Sequence, residues 1–181
     1  MSRLGELTAK IDAFFARVED RHAADMQCQT GCSDCCHVRL TITSVEAAAI
    51  RSEVASWSAE RRAGLADVGL KLALDARVGL RDRCAALDAA GRCKIYDARP
   101  VVCRSHGVPI RLAEATPASR GRASLPVIQA CFRNFTTTVA DADCVLDQTT
   151  LSALVLAVDR GAGGDGSRIE LAELLGELAA K

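Results

Sequence analysis

Cys28-Gln-Thr-Gly-Cys32-Ser-Asp-Cys35-Cys36 gathers four of the chain's nine cysteines into one short stretch. Thiols at this density bind metal, cross-link the chain or carry redox chemistry, because a core that needs only small apolar residues takes Ala or Val. The spacings are x3, x2 and x0. Short loops of this kind let two or three sulfurs turn toward one centre, at about 2.3 Å for zinc. Adjacent cysteines do not easily point the same way, so Cys35 and Cys36 indicate either two neighbouring centres or one ligand beside one bystander. A cysteine-rich loop without metal is the competing reading.

Composition narrows the choice. A chain of 181 residues, 49% of them hydrophobic, is long enough for one domain, 1–181, with a core of its own, and does not need disulfides to fold. Lys+Arg and Asp+Glu both number 23, so no net field attracts nucleic acid or an anionic membrane. Glu6, Asp12, Glu19 and Asp20 interrupt the N-terminal segment and argue against a secretory signal. The apolar run from Leu151 to Val158 is too short to cross a bilayer. A cytoplasmic location follows as the expectation, and there thiols stay reduced. The odd cysteine count and the Cys35-Cys36 pair both sit awkwardly with a disulfide framework.

Around the cysteines the pattern predicts a mainly α fold, with a short β-hairpin and irregular loops around a cysteine metal centre. Leu4, Leu7, Ile11, Phe14, Phe15 and Val18 recur at helical intervals and predict an amphipathic N-terminal helix within residues 1–24. Thr43-Ser44-Val45-Glu46 has the spacing of a capping box and opens a helix to about Ala55. Ser58 opens another, through Leu65, Val68 and Leu72 to about Val78. Arg83–Leu87 and Arg92–Tyr96 flank Asp88-Ala-Ala-Gly91 as a tight hairpin. Val108 to Pro126 reads as irregular. Thr149–Arg160 and Ser167–Ala180 predict two closing helices within 149–181, and Gly161–Gly166 between them a flexible linker. That linker lacks the Lys-Ser/Thr ending and preceding strand of a phosphate loop.

Two further pieces carry cysteines. Cys84 and Cys93 flank the hairpin, and a tight loop would set them opposite one another, about 4.5–5.5 Å apart at Cβ. They could then share one ion, or close a cross-strand disulfide. In Arg99-Pro100-Val101-Val102-Cys103-Arg104 the proline fits the first turn of a helix. Cys103 then lies near the positive end of the dipole, which favours a thiolate. Arg99 and Arg104 would offset the negative charge of a thiolate-bound metal.

Together these pieces resemble a known family. Cys-x3-Cys-x2-Cys-Cys, then Cys84, then Cys93-Lys-Ile-Tyr96-Asp-Ala-Arg99-Pro100-Val-Val-Cys103-Arg104, then Cys131-Phe-Arg-Asn134-Phe, is similar to the YkgJ-type cysteine-cluster proteins, a family named for proposed chelation of zinc or iron. The resemblance spans 28–135, which it marks as the metal-binding core. One departure is visible: the first spacing is x3 where the usual pattern has x2. The resemblance implies Cys28, Cys32, Cys35, Cys36, Cys84, Cys93, Cys103 and Cys131 as metal ligands. It leaves out Cys144, whose replacement by Ser is expected to change neither metal content nor stability.

The cofactor is then zinc or iron, the latter alone or as an iron-sulfur cluster. Thiolates suit both and disfavour magnesium and calcium, which want oxygen. The spacings match neither the ferredoxin run nor the paired knuckles of a zinc ribbon. A related cysteine cluster, in the flagellin lysine methylases, is associated with an iron-sulfur centre. His37 and His106 read as hydrogen-bond partners of the cluster rather than ligands, with His106 sharing the face of Cys103 if the helix continues. His22 reads as a surface residue, Trp57 as core, Tyr96 as a packed residue with a hydroxyl partner, and Asp97 as a turn or cap.

Two function classes follow. The first is a metal-binding module with a structural, sensing or metal-handling role and no catalysis, whose partner is the metal ion and, in some settings, an unidentified protein. The second is an iron-sulfur enzyme or enzyme component that modifies a protein or peptide. A nucleic-acid binder fits poorly, since balanced charge and 3% aromatic residues leave little to bind phosphates or stack bases.

Overall fold

The computed structural model describes residues 2–29, 31–65, 83–112 and 127–180. The helix expected beyond Leu65 and most of the irregular stretch up to Pro126 lie outside them. The architecture is mainly helical, with six helices among the described residues and short strands between them. Two compact units form, each from two separate lengths of chain. The first joins Met1–Cys28 to Val101–Ala157, and the second joins Gln29–Pro100 to Val158–Lys181.

In the first unit, α1 (Arg3–Arg21) buries Leu4, Leu7, Ile11 and Val18, the stripe its periodicity predicts. Ser2 caps it, its Oγ accepting from the Gly5 amide at 3.1 Å. Helix α1 packs against α4 (Val101–Ser105), and Arg104 Nη1 donates to Asp12 Oδ2 at 2.6 Å. Strand β2 (Ile110–Arg111) lies between β3 (Ile128–Gln129), antiparallel, and β4 (Leu146–Asp147), parallel. Val18, Met26, Val108 and Cys144 form a small core, with Phe14, Phe15, Phe135 and Cys28 packed on it. Asp147 Oδ1 accepts from the Thr150 amide at 2.8 Å and starts α5 (Gln148–Gly161), which ends in the second unit.

The second unit repeats one local plan. Strand β1 (Thr41–Thr43) runs into α2 (Ser44–Ala55), and β5 (Arg168–Glu170) runs into α6 (Leu171–Ala179). The strands pair antiparallel, Ile42 opposite Ile169, and the helices pack together. Ile42, Ile50, Val54, Trp57, Leu65, Ile95, Leu171, Leu174 and Leu175 form its core. Each such side chain, fully buried, contributes roughly 1.5–3 kcal/mol. Trp57 is core as expected, and its Nε1 donates to Glu53 Oε1 at 2.8 Å. The capping box is present: Glu46 Oε2 accepts from both the amide and the hydroxyl of Thr43, each at 2.9 Å. Ser58 caps α3 (Ala59–Ala63), which stops at Gly64 rather than continuing through Leu65 as expected.

Two further expectations change here. Residues 168–170 are strand rather than the start of the last helix, because pairing with β1 satisfies their backbone groups. The segment Gly161–Gly166 is no loose linker but a turn built around Asp159, which is fully buried. Asp159 Oδ1 accepts from Ser44 Oγ at 2.7 Å and from the Val45 amide at 2.9 Å, and Oδ2 from the Gly166 amide at 3.1 Å. A Cβ on Gly164 would sit 2.2 Å from Asp159 Oδ2, so glycine is required there for space. The Ser44 hydroxyl leads the interactions that hold the Asp159 carboxyl below the usual range. No described helix is long and apolar enough to cross a membrane.

Candidate metal centre

No disulfide joins any of the nine cysteines, and the cross-strand bridge weighed for Cys84 and Cys93 is not formed. Cys144 alone is fully buried; the other eight are half-buried. A cysteine that only fills a core has no use for that partial exposure. Cys32, Cys35, Cys36, Cys84 and Cys93 belong to the second unit, and Cys28, Cys103, Cys131 and Cys144 to the first.

In the second unit, Asp34–Cys36 is one turn of 3-10 helix, closed by the Cys36 amide on the Ser33 carbonyl at 2.8 Å. The Cys35 and Cys36 sulfurs lie 3.9 Å apart. Sulfurs bound at about 2.3 Å on a tetrahedral ion stand about 3.8 Å from one another. The adjacent pair therefore can serve one centre, contrary to the expectation that they diverge, since the 3-10 turn brings both sulfurs together. The Cys84 amide donates to the Cys36 carbonyl at 2.7 Å and joins the hairpin to this turn.

The hairpin has a different register from the one expected. Leu87, not Cys84, faces Cys93. Asp88 closes the turn, its Oδ1 accepting from the amides of Ala90 and Arg92 at 2.9 and 2.8 Å, while Gly91 supplies a φ of 76°. Cys84 lies before the bridge, at the start of a turn in which its carbonyl accepts from the Leu87 amide at 3.1 Å. It remains within electrostatic reach of Cys93. Burial pushes the Cys93 thiol up to about 11, helped by the Cys84 and Cys35 charges and opposed by the Ile95 amide and Arg99. Cys35 moves the other way, to about 7, chiefly through its sulfur–sulfur hydrogen bond with Cys36, with Arg99 assisting against burial and Asp34. Arg99 thus favours the thiolates of Cys35 and Cys93, while Arg104 pairs with Asp12. Tyr96 does not pack: it is 58% exposed and stacks under Arg99, 4.0 Å from the guanidinium. Asp97 lies in the 3-10 turn Tyr96–Ala98.

In the first unit, Cys28 is held by Asn134, whose Nδ2 donates to Sγ at 3.2 Å and to the Gly107 carbonyl at 2.8 Å. Asn134 Oδ1 accepts from the Gln27 amide at 2.8 Å, and the Asn134 amide donates to the Cys131 carbonyl at 2.8 Å. Buried Asn134 therefore links the Cys28 and Cys131 segments to the end of α4. Gly107 has φ 108°, and a Cβ there would lie 2.8 Å from Cys28 Sγ. Sequence reasoning gave neither residue a role. A glycine two residues past a helix was the available signal for Gly107; Asn134 had none beyond its place in the family string.

Cys103 lies within α4, which stops at Ser105, so His106 leaves the helical face it was expected to share and is exposed. Gly107 makes the break by its positive φ. His37 is also exposed. His22 is not the surface residue expected: its side chain is only 12% exposed and meets the Phe135 ring edge-on at 5.1 Å. It sits just past the end of α1, where the chain turns inward to Met26.

The Cys35–Cys36 sulfur pair is the part of the cysteine set that the described residues bring to shared-ligand distance, and half-buried sulfurs suit a soft or borderline ion rather than magnesium or calcium. One family model matches the chain, over residues 27–119: CxxCxxCC, described as "Putative zinc- or iron-chelating domain". The match covers just over half of the chain and stops short of Cys131 and Cys144. No curated protein and no solved structure matches it.

Proposed function

The chain belongs to the CxxCxxCC family of zinc- or iron-chelating domains, and on that premise we propose that it holds zinc or iron through Cys28, Cys32, Cys35, Cys36, Cys84, Cys93, Cys103 and Cys131. Its role on this reading is structural, sensing or metal-handling, in the cytoplasm. The observation that carries the proposal is the 3.9 Å separation of the Cys35 and Cys36 sulfurs beside Cys84, Cys93 and Arg99. Either ion would be held by thiolates. Zinc supplies structural cross-linking or Lewis acidity, and iron, as an iron-sulfur cluster, electron transfer. The chain's own residues favour thiolates: Arg99 lies near Cys35 and Cys93, and Asn134 donates to Cys28.

Metal and acid-labile sulfide analysis of protein purified without oxygen tests this reading. Cys93→Ser and Cys103→Ser are each expected to lower metal content and thermal stability. Iron with sulfide and a broad band near ~400 nm identifies an iron-sulfur centre; zinc without colour identifies a zinc module. Protein that binds neither metal refutes the proposal.

A further inference from the structure

We propose that His22, Asp141 and Cys144 form a separate site for a divalent transition-metal ion of the zinc class, within the first unit and outside the segment that the family model matches. A ligand atom from each lies within 4.8 Å of the other two. The donors are an imidazole nitrogen, a carboxylate oxygen and a sulfur, a set that suits zinc or its neighbours and not magnesium or calcium.

The local structure presents them together. Asp141 and Cys144 flank one 3-10 turn, closed by the Cys144 amide on the Asp141 carbonyl at 2.8 Å. His22 comes from the end of α1. Its Nε2 is buried, has no hydrogen-bond partner, and lies 3.5 Å from Asp141 Oδ2. Two ligands at about 2.0–2.1 Å from a tetrahedral ion are about 3.3–3.4 Å apart. The separation is therefore that of neighbouring ligands, and an ion would satisfy the buried imidazole nitrogen. The opposite ring nitrogen, Nδ1, lies 3.6 Å from Asp25 Oδ2, longer than a hydrogen bond but on the side from which a carboxylate orients a metal-binding imidazole. Phe135 fixes the ring plane. Cys144 Sγ closes the site from the buried side, and Asp141, with a side chain 62% exposed, leaves it open to solvent for entry and for a fourth ligand from water.

One cation stands close: Arg21 Nη1 is 3.9 Å from Cys144 Sγ. The same nitrogen donates to Asp143 Oδ2 at 2.6 Å, so its charge is offset by a carboxylate that is not a ligand. Thiolate and carboxylate then neutralise a divalent ion. This reverses the expectation that replacing Cys144 changes neither metal content nor stability: the residue is fully buried in the core of the first unit and its sulfur faces His22 and Asp141.

The test equilibrates the full chain with zinc, removes unbound ion, and counts zinc per chain for wild type, His22→Gln, Asp141→Asn and Cys144→Ser. Each variant is expected to hold one zinc fewer than wild type, and the His22→Gln/Cys144→Ser double variant no fewer than either single one. The Asp141→Asn difference is expected to persist in a Cys93→Ser background, which separates this ion from the cysteine centre. Asp25→Asn is expected to weaken zinc binding at this site about 10- to 100-fold. Since Asp141 is exposed, its variant keeps the fold even where Cys144→Ser does not. Equal zinc in wild type and Asp141→Asn overturns the proposal.

Discussion

Single residues set the reactivity of this protein. In the metal-free chain, Cys35 with a value of about 7 is roughly half thiolate at neutral pH, whereas Cys93, at about 11, is almost wholly protonated. Alkylation with iodoacetamide at pH 7, followed by peptide mass spectrometry, is expected to label Cys35 well before Cys93. Raising the pH to 10 should narrow the gap, and bound metal should protect both. Equal labelling at pH 7 would contradict the environments described. Gly107 is a second such point. Gly107→Ala places a methyl group against Cys28 Sγ at a φ that L residues rarely adopt, and is expected to cost about 1–3 kcal/mol in urea unfolding. Cysteine identity was legible in the sequence; the difference between these thiols was not, because burial and the Cys36, Arg99 and Asp34 neighbours create it.

At the scale of elements, short-range chemistry was read well and end points less so. The α1 stripe and the Thr43–Glu46 box depend on residues a few positions apart, so sequence alone located α1 and α2. The last helix began too early because Arg168–Glu170 becomes strand only through β1, some 127 residues away in sequence. Asp159 serves both ends of that arrangement, holding the start of α2 and the 161–166 turn. Asp159→Ala is expected to destabilise the protein by about 1–3 kcal/mol, as a buried group with several amide and hydroxyl donors is lost. Its carboxyl is depressed in the folded state, so its contribution is present above the ordinary carboxylate value of about 4 and is lost as pH falls through the folded value. Urea titrations from pH 7 down to pH 2 should show the gap between wild type and variant closing at the acid end. A constant gap would show that packing, not charge, is what Asp159 supplies.

For the whole molecule, the apolar core and the cysteines divide the work within the second unit. Helices α2 and α6 share a buried core with Trp57, Leu65 and Ile95, while the Cys32–Cys36 loop has no buried residue of its own. Chelation is therefore expected to raise hydrogen exchange across 31–36 and 84–93 while α2 and α6 stay protected, as mass-resolved exchange would measure. Equal loss in α2 and α6 would mean that metal holds the entire unit. The sequence by itself determined the helical scaffold, the cysteine motifs and the family, because periodicity, capping and motif spacing are local and need no knowledge of distant chain. Only the tertiary structure decided the Leu87–Cys93 register, the convergence of Cys35 and Cys36, the support of Cys28 by Asn134, and the approach of His22 to Asp141 and Cys144. Turn geometry and side-chain rotamers set the first two, and long-range packing of segments about 100 residues apart sets the others, a length over which residue spacing carries no distance.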